Sequence, residues 1–164
     1  MKKRILSLVC SVAVLSMVMM VSALDVKASE TEYKVVDGSA LTLEDSSTGY
    51  TPTSVTRGEY LMTGDCTISK AGLTRVYAYA STTANTEVNY MATLVFIDRY
   101  DEEDDSWGQV YGWAEETTND YFLSTAKSVK VDRGYYYRVR ANHIAGDQYP
   151  YDETASATDG IYLP

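Results

Sequence analysis

The sequence predicts an all-β fold, an antiparallel two-layer sandwich of about seven strands, and three observations carry that reading. From residue 59 onward the chain alternates runs dense in Tyr, Val, Thr and Ile with short breaks of Gly, Asp and Asn, which is strand and turn composition. No window keeps apolar residues at helical spacing without β-branched or aromatic interruption. The runs recur at roughly ten-residue spacing, the rhythm of a sandwich.

The predicted strands are 61–69, 73–81, 88–100, 107–115, 122–131, 135–145 and 153–162. Alternation is clearest in the third, where Val88, Tyr90, Ala92, Leu94 and Phe96 oppose Met91, Thr93, Val95 and Ile97. Both faces are apolar, so this strand is expected at the centre of a sheet. Asp132-Arg133-Gly134 has the length of a three-residue hairpin loop, in which Gly134 takes positive φ without Cβ strain. It is expected to join the strands that flank it.

The N-terminus divides into a cationic start (Lys2, Lys3, Arg4), an apolar run from Ile5 to Ala23, and small residues near its end. That is the layout of a cleaved secretory signal peptide, with cleavage expected after Ala28. The competing reading is an uncleaved anchor, since the run is long enough to span a bilayer. Lipid attachment at Cys10 is not expected, because Val9 stands where a small residue is needed. The chain then reads as signal peptide over 1–28, a flexible arm rich in Ser, Thr and acids over 29–56, and the β domain over 57–164. A secreted, extracellular protein is implied. The ending Ile161-Tyr162-Leu163-Pro164 carries no wall-sorting signal, so any retention would be non-covalent.

The whole chain carries a net charge of −9, and removing the basic leader makes it more negative. Such a surface repels phosphates, which argues against nucleic acid and anionic lipid as partners. Cys66 is the one cysteine left after cleavage, so no internal disulfide forms. It alternates with Ile68 and is expected in the core.

The segment Tyr135, Tyr137, Val139, Ala141, His143 and Gly146 resembles the penultimate strand of fibronectin type III and related immunoglobulin-like sandwiches. The resemblance implies that Tyr135 is the corner tyrosine whose hydroxyl returns to the backbone. A longer set of short matches includes Arg57-Gly58, Gly64 to Ile68, Trp107, Trp113, Val129-Lys130-Val131, Gly134 to Arg140, His143 and Thr158 to Ile161. This pattern resembles an uncharacterised family of small secreted Gram-positive proteins. It supports the fold and implies no activity.

No cofactor motif is present, and no Gly-x-Ser-x-Gly elbow accompanies His143, the one histidine. A small hydrolase would have to combine His143 with Asp147, Asp152 or Glu153. The bland reading, a strand-end histidine that hydrogen-bonds the backbone, is preferred. Zinc is excluded by ligand count. A weak calcium site is conceivable where Asp98 precedes the acidic tip that contains Asp101, Glu103 and Asp105, because a divalent cation would relieve their repulsion. Glu115 and Glu116 cannot flank one glycosidic bond, since neighbours on a strand face opposite ways.

Trp107, Tyr111 and Trp113 share parity along one strand, so they form a row that is expected first to fill the core, with a platform for sugars or a partner, or a row divided between core and surface, as the alternatives. Tyr136, Arg138 and Arg140 form a second row, expected outside and paired with acids on neighbouring strands. The functional expectation is a secreted, non-catalytic binding module for an envelope glycan or protein, with the hydrolase as its rival.

Overall fold

In the computed structural model, residues 37–51 and 59–164 are described. The predicted signal peptide, most of the arm and Arg57-Gly58 lie outside the described residues. The described chain is all-β, with ten strands and no helix: β1 (Leu41–Thr42), β2 (Ser46–Tyr50), β3 (Leu61–Lys70), β4 (Arg75–Val88), β5 (Tyr90–Asp101), β6 (Ser106–Thr117), β7 (Asp120–Lys130), β8 (Tyr135–Gly146), β9 (Asp152–Ala157) and β10 (Gly160–Leu163). Sheet A runs β1-β10-β8-β5-β6 with β9 also on β8, and sheet B runs β2-β3-β4-β7.

The core lies between the sheets, where alternate residues of facing strands meet. Sheet B contributes Cys66 and Ile68 with Val76, Ala78 and Ala80; sheet A contributes Val95 and Ile97 with Tyr137, Val139 and Ala141. A second cluster at the other end gathers Leu61, Val88, Met91 and Leu123. β5 lies between β8 and β6, and its outward Ala92 and Asp98 are as buried as its inward residues.

Four features depart from the sequence reading. Residues 41–42 and 46–50, assigned to the flexible arm, are strands: β1 adds parallel to β10 and β2 pairs antiparallel with β3. Gly49 permits this, because a Cβ there would come within 1.8 Å of the Ala157 carbonyl oxygen. The polar surface of β2 hid the pairing, since its hydrogen bonds are main-chain and leave no trace in composition.

The predicted strand 153–162 divides into β9 and β10. Both pair with the same edge of β8, but the register slips by one residue between Arg140↔Ala157 and Tyr137↔Ile161. The slip is repaired locally: the Thr158 amide donates to the Val139 carbonyl (2.9 Å), and the Thr158 hydroxyl accepts the Val139 amide (2.9 Å).

The flanks of Asp132-Arg133-Gly134 do not form a hairpin. Gly134 has φ +87°, yet β7 pairs with β4 in sheet B and β8 pairs with β5 in sheet A, so the turn carries the chain between layers. The corner is held by Tyr137, whose buried hydroxyl donates to the Asp132 carbonyl at 2.8 Å. This corrects the assignment of Tyr135 as the corner tyrosine. Tyr135 is 40% exposed, with the Arg99 guanidinium 4.5 Å from its ring centre. Alternation could not separate the two, because they share a parity; depth in the layer does.

The corner hydrogen bond gives a direct test. Tyr137→Phe is expected to lower stability by about 1 kcal/mol, whereas Tyr135→Phe should stay within about 0.5 kcal/mol of wild type. Urea denaturation of both variants measures the difference.

Candidate functional site

β6 and β7 are joined by a tight turn in which Asn119 takes φ +55°, yet they belong to different sheets. They leave the turn as a splayed hairpin, close at the start and open at the far end. The opening is a seam along one side of the sandwich, and its lining depends on a bulge in β6. Tyr111 pairs with Ile97 but Gln109 pairs with Asp98, so Val110 is one residue extra.

That bulge overturns the expected row of three rings. Tyr111 and Trp113 lie on the inner side, opposite Ile97 and Val95, while Trp107 lies with Tyr100 on the outer face. Trp107 is half-buried there, 5.2 Å from the Tyr100 ring and 4.4 Å from the Arg138 guanidinium. It rests on Gly160, where a Cβ would come within 2.6 Å of the indole. Parity counting fails across an inserted residue, which shifts every later side chain to the other face.

Trp113 wedges the seam. Its indole N–H donates to the Thr125 hydroxyl of β7 at 2.9 Å, and the Lys127 ammonium lies 5.1 Å from its ring centre. Tyr111 follows at 5.9 Å between ring centroids and is 39% exposed. Beyond Tyr111 the strands part around a cleft of about 240 Å³. Val110 and Tyr111 form one wall, Val129 to Val131 the other, and Arg99, Asp132 and Tyr137 close the end. The Arg99 guanidinium is 3.6 Å from the Asp132 carboxylate, a loose pair with that acid largely in solvent.

Arg99 and Lys127 went unremarked in the sequence, and Lys130 was noted only within the Val129-Lys130-Val131 match. The readable signal was Lys127, which has the inward parity of Leu123, Thr125 and Val129 and so places a cation where a core residue is expected.

The outer face of sheet A places Asp98 of the calcium reading between two arginines. Asp98 is 1% exposed, and its carboxylate accepts Arg138 Nε at 3.1 Å and Arg140 Nε at 2.5 Å. Arg138 also donates to the Gly38 carbonyl at 2.5 Å, tying the N-terminal segment to this face. Asp98 is therefore neutralised by two guanidinium groups and is separated in role from the tip. At the tip, Asp101 accepts the Glu103 amide and Asp105 accepts the Tyr100 hydroxyl. Among the described residues no three His, Cys, Asp or Glu side chains converge to hold a metal ion.

His143 is fully buried. Its Nδ1 lies 2.9 Å from the Thr82 hydroxyl and its Nε2 lies 2.8 Å from the Ser156 hydroxyl, while Thr82 is 2.6 Å from Thr93. The ring lies flat on Gly64, where a Cβ would approach it to 2.3 Å. Two carboxylates of the hydrolase reading are engaged elsewhere: Asp147 accepts the Asn89 amide, and Asp152 accepts the amides of Tyr60 and Leu61. Glu115 and Glu116 pair with Thr93 and Ala92 on successive positions and face opposite ways. Cys66 is sealed nearby, its thiol pushed up to about 12 by burial, and is expected to resist disulfide reagents until the protein unfolds.

Burial pulls the His143 imidazole down to about 4 from its usual 6.5. The folded state thus holds the ring neutral while the unfolded chain takes up a proton. Its contribution to stability is complete above about pH 6.5 and declines by about 1.4 kcal/mol per unit as the pH falls toward 4. Asp65, raised by burial, works in the opposite direction. His143→Gln should remove one proton from the slope of unfolding free energy against pH, measured by urea titration. Asp98→Asn leaves two guanidinium groups short of a counter-charge and is expected to cost about 3 kcal/mol in the same assay.

No curated protein and no solved structure matches this chain. A family profile does match, over residues 23–160, which takes in β1 to β9, the seam and the first residue of β10. The chain belongs to a family of unknown function, DUF6147.

Proposed function

We propose that the protein is a secreted, non-catalytic binding module of immunoglobulin-like type, with its ligand seat at the seam between β6 and β7. The single observation that carries the reading is the exposed Tyr111 ring, stacked toward Trp113 at the mouth of a cleft with cations on its rim. An aromatic ring held rigid by its neighbours offers contact area at small entropic cost, and the rim supplies orientation. Two features support the immunoglobulin-like assignment: the corner tyrosine near the start of β8 and the repeated crossing of the chain between sheets. Export is supported by the charged, apolar and small-residue zones of the first 28 residues.

The ligand class is an envelope glycan or protein. His143 does not enter, because hydroxyl groups occupy both its ring nitrogens inside the core. The test is a glycan array and a pull-down from envelope extract with the mature protein, each repeated with Tyr111→Ala. Loss of about tenfold or more in affinity is expected, the usual effect of removing a well-seated aromatic anchor. Undiminished binding by the variant would move the seat elsewhere.

A further inference from the structure

Resting on that reading of the seam, we propose that the seat takes an extended acidic peptide, which adds to the free edge of β7 and sets a carboxylate beside Arg99. β7 ends sheet B, and its pairing with β4 is unbroken from Thr83↔Phe122 to Arg75↔Lys130. It is a regular strand whose second side has no ladder partner among the described residues. Trp113 blocks this edge at Thr125 and the Arg75 guanidinium holds the Ser128 carbonyl at 2.6 Å, so within 126–130 the carbonyls a peptide can still meet are those of Ala126 and Lys130. An edge of that kind offers N–H and C=O groups at the two-residue period of another peptide backbone.

Charge decides what the peptide carries. The chain as a whole is strongly acidic, yet Lys127 and Lys130 lie along this edge, Arg75 stands directly across from Lys130, and Arg99 closes the cleft. Like charges opposite one another destabilise a sheet unless an anion lies near. Arg75 is partly quieted by Ser128, donating from Nε to its hydroxyl at 3.0 Å and from Nη2 to its carbonyl at 2.6 Å, and Arg99 has its loose contact with Asp132, an exposed acid that also lines the cleft. A ligand carboxylate can displace that contact and form a forked pair with the guanidinium. The valines at 110, 129 and 131 then receive an apolar side chain next to the acid. A sugar would use the Tyr111 ring but would leave the backbone edge unpaired, which is why a peptide is favoured over an acidic glycan.

The experiment is a selection of random hexapeptides with free carboxyl ends on the purified protein, run in parallel with the double variant R99E/K130E and with K127E. Far-ultraviolet dichroism establishes that each variant is folded. Selected peptides are expected to be enriched at least about tenfold in Asp and Glu, with the enrichment lost on both variants. In the complex, amides within 126–130 should gain protection from hydrogen exchange. No acidic enrichment, or enrichment that survives R99E/K130E, overturns the proposal. Oligogalacturonate is the control ligand. If it binds in a Tyr111-dependent way while peptides do not, the seam remains a seat and the peptide inference falls. If neither binds, both readings fall together.

Discussion

The two sheets are pinned to each other by a line of polar groups that crosses an otherwise apolar interior. Thr93 of β5, Thr82 of β4, His143 of β8 and Ser156 of β9 form successive hydrogen bonds, and the imidazole bridges the gap between layers. Each of these groups would be costly to bury unpaired. Their satisfaction therefore fixes the stagger of one sheet over the other to within hydrogen-bond tolerance. Gly64 is the matching constraint on β3, because the ring needs the volume that a side chain would take.

A second polar arrangement organises the outside of sheet A. Asp98 is shielded by Arg138 and Arg140, Arg138 is covered by the Trp107 ring, and Arg140 stands over Phe96. Tyr136 and Tyr162 stack beside them at 5.0 Å. What composition presents as a solvent face is thus a thin third layer, in which guanidinium groups act as planar packing elements as well as charges. The segment 37–42 lies along its margin through the Arg138 contact with Gly38 and the pairing of β1.

The fold class and most strand positions were legible because alternation and turn residues are local properties. The central place of β5 was legible from its two apolar faces, and the partnering of Arg138 and Arg140 from the excess of acids in the chain. The rest turned on single residues whose effect is non-local. One inserted residue at Val110 sends Trp107 and Tyr111 to different faces. One step of equal parity separates the buried Tyr137 from the exposed Tyr135. The placement of β2 depends on Gly49 meeting Ala157, more than a hundred positions away. The cations of the seam come from β5 and β7, which are not adjacent in either sheet, so only the assembled layers bring them together.

The insertion at Val110 has a further effect, on colloidal behaviour. β6 is a 12-residue strand at the margin of its sheet, the kind of edge that recruits other molecules into fibres. With the extra residue at its middle, two copies laid side by side would fall out of step halfway, and Glu115 and Glu116 add repulsion farther along. A defect in the pleat thereby works as a brake on polymerisation, at the length of one residue and without a proline.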